Sequence, residues 1–194
     1  MKKLNVLNFV VFAFISILFV GCKSSSPVVS DELTPVKVDK CIELQKQLPE
    51  RRAWGVGRSS YEQTAKNFAI SAAEASFARM LEVAVELGTS NFIQIYGNTS
   101  SEDETALSKD FFSVVARQIV KSTKEIDYSP YKQKDGKFYT YVCIEYNGTI
   151  DEMAESVTSK VNNQLSDEEK LKIQFDYQQY KKEIEEQLKK MQQK

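Results

Sequence analysis

The stretch WGVGRSSYEQTAKNFAISAAEASFARMLEVAVEL, residues 54–87, decides the fold. It opens as a short extended piece, Arg52-Ala53-Trp54-Gly55-Val56-Gly57, and then changes period. From Tyr61 onward Ala65, Phe68, Ala69, Ala72, Ala75, Ser76, Arg79, Met80, Val83, Ala84 and Leu87 recur at i, i+3, i+4 and i+7, which predicts a helix. Ser59-Ser60-Tyr61-Glu62 has the form of a capping box at its start, and Gly88 is the predicted stop. Most of that face is alanine. Small side chains let a helix lie close against a sheet or another helix, so this is the predicted central buried helix.

Working outward toward the C-terminus, Phe92, Ile93, Ile95 and Tyr96 alternate loosely with polar residues; Asn91–Tyr96 reads as a strand or as a continuation of the helix after a kink, and a strand is expected. Ser101-Glu102-Asp103-Glu104 repeats the capping-box pattern ahead of a helix over Glu104–Lys121. That helix carries Leu107, Phe111, Val114, Val115 and Ile119 on one face. Asp135-Gly136 then sits between two aromatic-rich runs, Lys124–Lys132 and Lys137–Tyr146, and predicts a β-hairpin. Pro130 cannot donate to a ladder, so the first arm is an edge strand or is bulged there. Thr149-Ile150-Asp151-Glu152 caps a helix to about Gln164. Ser166-Asp167-Glu168-Glu169 caps a final helix over Asp167–Met191, with Ile173, Tyr177, Tyr180, Ile184, Leu188 and Met191 as its apolar stripe. The predicted class is α+β: a small sheet holding the hairpin, packed on the alanine-rich helix and a second amphipathic helix, with a long C-terminal helix. The narrow last stripe either docks on the domain, leaving the end of the helix projecting, or pairs with a second copy.

Toward the N-terminus, Met1-Lys2-Lys3 is a short positive segment and Phe9 to Val20 is apolar except for Ser16. That is the h-region of a secretory signal and is marginal as a span. The run ends at Gly21-Cys22, which resembles the bacterial lipoprotein signal. The resemblance implies cleavage before Cys22, a diacylglycerol thioether on its sulfur and further acylation of its amine. Two or more acyl chains give stable anchoring. Residues 23–40, rich in Ser, Pro, Val and charge, read as a flexible tether. Cys41 to Gln47 reads as a short strand or turn.

Composition narrows the chemistry. Loss of residues 1–21 removes Lys2 and Lys3, so the 26 basic residues become 24 against 27 acids and the mature net charge is near −3. No basic stripe is present, which argues against a nucleic-acid partner. The chain has no histidine, which removes the commonest general base and metal ligand and the Ser-His or Cys-His nucleophile pairs. With Cys22 assigned to lipid, Cys41 and Cys143 are a candidate disulfide in an exported protein, or Cys143 simply packs as a small apolar residue. Two cysteines without histidine do not make a zinc site, and neither metal nor cofactor is expected.

Two local features are candidate binding sites. Gly55-Val56-Gly57-Arg58-Ser59-Ser60 resembles a phosphate-cradling strand–loop–helix, although the third glycine position of that fingerprint falls at Ser60. Arg58, Ser59 and Ser60 at a helix start are therefore the candidate anion-binding residues. The plainer reading is that the glycines let the strand turn tightly into the helix. The second feature is the cluster Tyr128, Tyr131, Tyr139, Tyr141 and Tyr146, which either packs the sheet or presents aromatic surface to a partner.

The order of lipidated Cys, spacer, Trp-Gly-Val-Gly-Arg-Ser-Ser, alanine-rich helix with Ala78-Arg79, second amphipathic helix, Lys-Asp-Gly-Lys hairpin and terminal helices resembles the LPP-twenty lipoprotein family, named for a twenty-kilodalton envelope lipoprotein of Gram-negative bacteria. A domain of flagellar assembly protein T is similar in pattern. The resemblance is strongest over Cys41 to Tyr146. It implies residues 1–21 as signal, 22–40 as lipidated tether, 41–150 as an α+β domain and 151–194 as a helical extension. It also implies an outer-membrane anchor, on the periplasmic or the surface side, and supplies no catalytic residues. The expected role is a non-catalytic binding or assembly module whose partner is an envelope protein or glycan. The alternative is a small-ligand or anion-binding domain, or an enzyme, built on Gly57–Ser60.

Overall fold

The structure is a computed structural model, and it describes residues 38–97 and 109–191. Cys22, the signal, residues 23–37 of the tether and the Ser101–Glu104 cap lie outside the described residues, whereas Asp39 and Lys40, read as the end of the tether, belong to the start of the first helix. Among those described, six helices and three strands alternate in the order α1 (Lys40–Gln47), β1 (Arg52–Ser59), α2 (Glu62–Tyr96), α3 (Lys109–Val120), β2 (Thr123–Lys132), β3 (Phe138–Tyr146), α4 (Ile150–Gln164), α5 (Asp167–Lys172) and α6 (Tyr177–Lys190). The class is α+β, with a long helix under a small antiparallel sheet ordered β1-β3-β2. No described helix is long and apolar enough to cross a membrane.

The hairpin is as predicted. Gly136 takes φ +81, which a side chain resists, and Gln133 N–H donates to the Lys137 carbonyl at 2.8 Å to close the turn. Pro130 lies on the edge strand β2, opposite Thr140, and the register break falls between Glu125 and Asp127.

β1 alternates large and small. Ala53, Gly55 and Gly57 turn toward α2, whereas Trp54, Val56 and Arg58 turn away. A methyl placed on Gly55 or Gly57 would fall inside contact distance of the α2 backbone at Ala69, Ala73 and Ala65. The helix thus touches the strand backbone to backbone. The row that seats it is Ala65, Ala69, Ala73, Phe77 and Leu81, all fully buried. This corrects the predicted face: Phe68, Ala72, Ala75, Val83 and Leu87 are exposed. An apolar surface nearly all round the helix left its phase open, and the close approach to the two glycines selects the row.

α2 is also longer than predicted. It runs 35 residues, through Gly88 to Tyr96, and is about 50 Å long. Gly88 is a point of close packing rather than a stop, because a methyl there would lie 2.6 Å from Ile184 Cδ1 on α6. No strand forms over Asn91–Tyr96. Phe92, Ile93 and Tyr96 fit a helical period as well as an alternating one, and Phe92 stacks among Tyr96, Phe175 and Tyr180 with centroids 5.2–6.1 Å apart.

α3 buries Phe112, Val115, Ala116 and Ile119, and its Val114 is exposed. At the C-terminus the predicted caps are in place: Thr149 with Glu152, and Ser166 with Glu169, form reciprocal capping boxes. The last helix, however, is broken. α5 ends at Lys172, Gln174 takes φ 51, and Asp176 caps α6 afresh by accepting from Gln179 N–H at 2.8 Å. Tyr180, Ile184 and Leu188 are fully buried within the chain, so the stripe docks along its length. Cys41–Gln47 is helix, not strand, with Asp39 accepting from Cys41 N–H at 2.8 Å as its cap.

Candidate functional site

The sheet has one face sealed by α2 and a second face only partly covered. Across that second face the rungs are Arg52–Glu145–Lys124, Trp54–Cys143–Asp127, Val56–Tyr141–Ser129 and Arg58–Tyr139–Tyr131. α1 crosses it diagonally. At its start the Lys40 ammonium meets Asp127 at 2.7 Å, and the Tyr131 hydroxyl donates to Asp39 at 2.7 Å. At its end Arg52 Nη1 donates to the Leu44 carbonyl at 3.0 Å. Beneath it, Glu145 accepts from Arg51 at 2.7 Å and from Arg52 at 2.8 Å, joining the chain before β1 to the central strand.

Beyond α1 the face is open. Val56 is 40% exposed and Tyr131 49%. Tyr141 stands between Trp54 and Tyr131, with centroids at 6.0 and 5.9 Å, and Arg58 lies 5.0 Å over the Tyr139 ring. The result is an aromatic shelf with one guanidinium on it. The sequence pointed to Tyr131, Tyr139 and Tyr141. It did not place Trp54 and Val56 beside them, although the alternation Arg52-Trp54-Val56-Arg58 against Ala53-Gly55-Gly57 carries that signal. Tyr128 and Tyr146 belong elsewhere: Tyr128 donates to Glu62 at 2.6 Å beside α2, and Tyr146 is buried in the core.

The anion cradle does not form. β1 runs straight through Ser59, so Gly57-Arg58-Ser59 is strand rather than loop. Arg58 leaves on the face away from α2 and pairs with Asp135 at 3.1 Å. The Ser59 hydroxyl accepts from Tyr61 N–H at 3.2 Å, and Ser60 lies in the bend ahead of the helix. The predicted capping box fails as well. Tyr61 is the cap residue and makes no side-chain cap bond, while the Glu62 carboxylate is taken by the Tyr128 hydroxyl. That bond pushes the Tyr128 hydroxyl up to about 12.

Cys41 and Cys143 are both buried and both free, so the candidate disulfide is absent. Cys41 Sγ lies 3.5 Å from Asp127 Oδ2. Burial first, and then the Asp39 and Asp127 carboxylates, push its thiol far up. Burial likewise raises Cys143 to about 11. Neither is an activated nucleophile, since the thiolate is the reactive form. Asp127 is held below the usual carboxylate range chiefly by its hydrogen bond to Lys40. Among the described residues no group of three or more acidic or cysteine side chains is placed to hold a metal ion.

No protein-family model, curated protein or solved structure matches this chain.

Proposed function

We propose that the chain is a lipid-anchored, non-catalytic binding or assembly module of a bacterial outer membrane, held through Cys22 and facing an envelope protein or glycan. The observation that carries this reading is the uncovered half of the sheet, where Trp54, Val56, Tyr131, Tyr139, Tyr141 and Arg58 share one surface. Rigid rings with polar edges bind partners at small entropic cost. Asp39, where the tether joins the domain, is bonded to Tyr131 on that same face. The Gly21-Cys22 junction and the resemblance to the LPP-twenty family support the anchor.

The test is a photo-crosslinking side chain at position 139 in intact cells, with intact mass measured on the recovered protein. The expected outcome is a discrete crosslinked partner on a chain that begins at an acylated Cys22. Absence of any protein or glycan adduct removes the binding role. An unmodified chain still carrying residues 1–21 removes the anchor.

The alternative anion site at Gly57–Ser60 has lost its structural basis, because the glycines face α2 and Arg58 faces the opposite way.

A further inference from the structure

We propose that the outer edge of β1 is a strand-addition site, which takes an extended, uncharged peptide from another chain as a fourth strand. The proposal deepens the binding-module reading and rests on it.

The sheet has two edges, and only one is blunted. β2 carries Pro130, a break in register between Glu125 and Asp127, and lysines at both ends, Lys124 and Lys132. These are the devices that keep an edge from pairing. β1 has neither a proline nor a register break, and the cations near its ends, Arg52 and Arg58, are paired with Glu145 and Asp135. Its eight residues pair with β3 without interruption, and among the described residues nothing pairs with its outer side.

The alternation fixes which groups are free. Tyr146 N–H donates to the Arg51 carbonyl at 2.8 Å, so Arg51 and Tyr146 are a hydrogen-bonded pair. In an antiparallel ladder the following bonded pairs are at Ala53, Gly55, Gly57 and Ser59, and the residues between them point outward. The Arg52 N–H accordingly turns away from β3, to the Leu48 carbonyl at 2.9 Å. That leaves the N–H and C=O of Trp54, Val56 and Arg58 aimed off the edge. Together they span five residues, about 17 Å of strand.

A floor lies beneath this edge. Gly57 approaches Phe68, which places the α2 row Phe68, Ala72, Ser76 and Met80 on the flank below it. Phe68 is 56% exposed, and Ala72 and Ser76 are exposed too. No member of that row is charged, whereas the opposite flank of α2 carries Lys66 and Glu74. At the Trp54 end the edge opens into a cavity of about 140 Å³ whose lining includes Pro49, Trp54, Ser76, Met80 and Arg52, the last with its charge paired to Glu145. Backbone pairing for affinity and a pocket for an alternate side chain are the two components of strand addition.

The same geometry selects the occupant. α2 is packed directly under β1, with Gly55 and Gly57 leaving no room between them. A second copy joined through its own β1 would bring its α2 alongside at about one strand spacing, 4.8 Å. Packed helices need about 8–10 Å. The edge therefore admits a bare strand and excludes a second copy of this domain paired antiparallel through its own β1. The uncharged floor calls for small or apolar side chains at alternate positions of that strand.

The test uses the full mature chain and a phage-displayed library of random linear peptides of about nine residues, near the length of a strand. The expected result is enrichment of peptides with alternating apolar residues. Their affinity should fall at least about tenfold on Val56→Pro, which removes an outward donor at an edge that tolerates proline, and on Ala72→Arg, which charges the floor. Both variants should melt as wild type does. Enriched peptides that bind both variants unchanged, or no enrichment at all, overturn the proposal. A dimer dispersed by Val56→Pro overturns it in favour of self-pairing. Much stronger peptide binding after deletion of residues 23–37 overturns it in favour of the chain's own tether. A partner captured at position 139 equally well in Ala72→Arg, which lies off the aromatic shelf, leaves the binding module standing and removes the edge.

Discussion

The Tyr180 hydroxyl and Thr89 Oγ1 lie 2.6 Å apart in the core, joining α6 to the middle of α2. Thr89 donates its hydroxyl hydrogen to the Val85 carbonyl at 2.7 Å, so the Tyr180 hydroxyl is the donor to Thr89. Tyr180→Phe removes the hydroxyl and leaves Thr89 satisfied, with an expected cost of about 1 kcal/mol. Thr89→Val leaves a buried phenol unpaired and should cost about 2 kcal/mol. In urea unfolding the double variant should lose less than the sum of the two; full additivity would mean the pair is not coupled.

Gly55→Ala and Gly57→Ala each drive a methyl into the backbone of α2. Alanine favours a strand over glycine by a fraction of a kcal/mol, but overpacking against an unyielding backbone costs about 1–3 kcal/mol or more and wins. Gly136→Ala meets nothing within 4 Å and suffers only from its φ of +81, so about 1 kcal/mol is expected. Thermal melts should rank both strand variants well below the turn variant.

Glu145 receives two guanidinium donors while only 14% exposed. Glu145→Gln keeps the shape and removes the charge, leaving Arg51 and Arg52 without their counter-ion. The expected loss is about 2 kcal/mol, read by denaturant midpoint. An unchanged midpoint would show that solvent already screens the pair.

The buried thiols predict both pH dependence and reactivity. Cys143 has its thiol raised from 9.0 to about 11 by burial, so between those values the unfolded chain releases a proton that the folded chain keeps. Stability from this group is therefore whole below pH 9 and declines as pH rises toward 11. Cys143→Ala should make that part of the curve shallower, the remaining slope coming from Cys41, whose thiol is also raised by burial. At pH 8 a thiol reagent should modify Cys41 and Cys143 only as fast as the domain opens. Rapid labelling of the native chain would contradict their burial.

The turn at Asp135-Gly136, the Thr149 and Ser166 caps and the α+β class were legible in the sequence, because each is set by chemistry within four residues. What was not legible depended on distant neighbours. The helical phase of residues 65–81 was hidden by alanines on every side, and only contact with Gly55 and Gly57 chooses the buried row. Gly88 read as a stop because nothing near it in sequence announces Ile184. The Ser59–Glu62 box had the right letters, but Tyr128 from β2 took the glutamate. For the candidate site, the tyrosines of the hairpin were visible, whereas their grouping with Trp54 and Val56 required knowing that β1 lies beside β3.

That placement of β1 has a kinetic consequence. The hairpin of β2 and β3 closes locally, on a timescale of about microseconds. Arg52 and Glu145 meet only across a separation of 93 residues, and such distant contacts slow folding. During synthesis the first strand and its long helix leave the ribosome well before the central strand exists to receive them. The sheet is completed late, and any chain cut short of residue 146 should lack it.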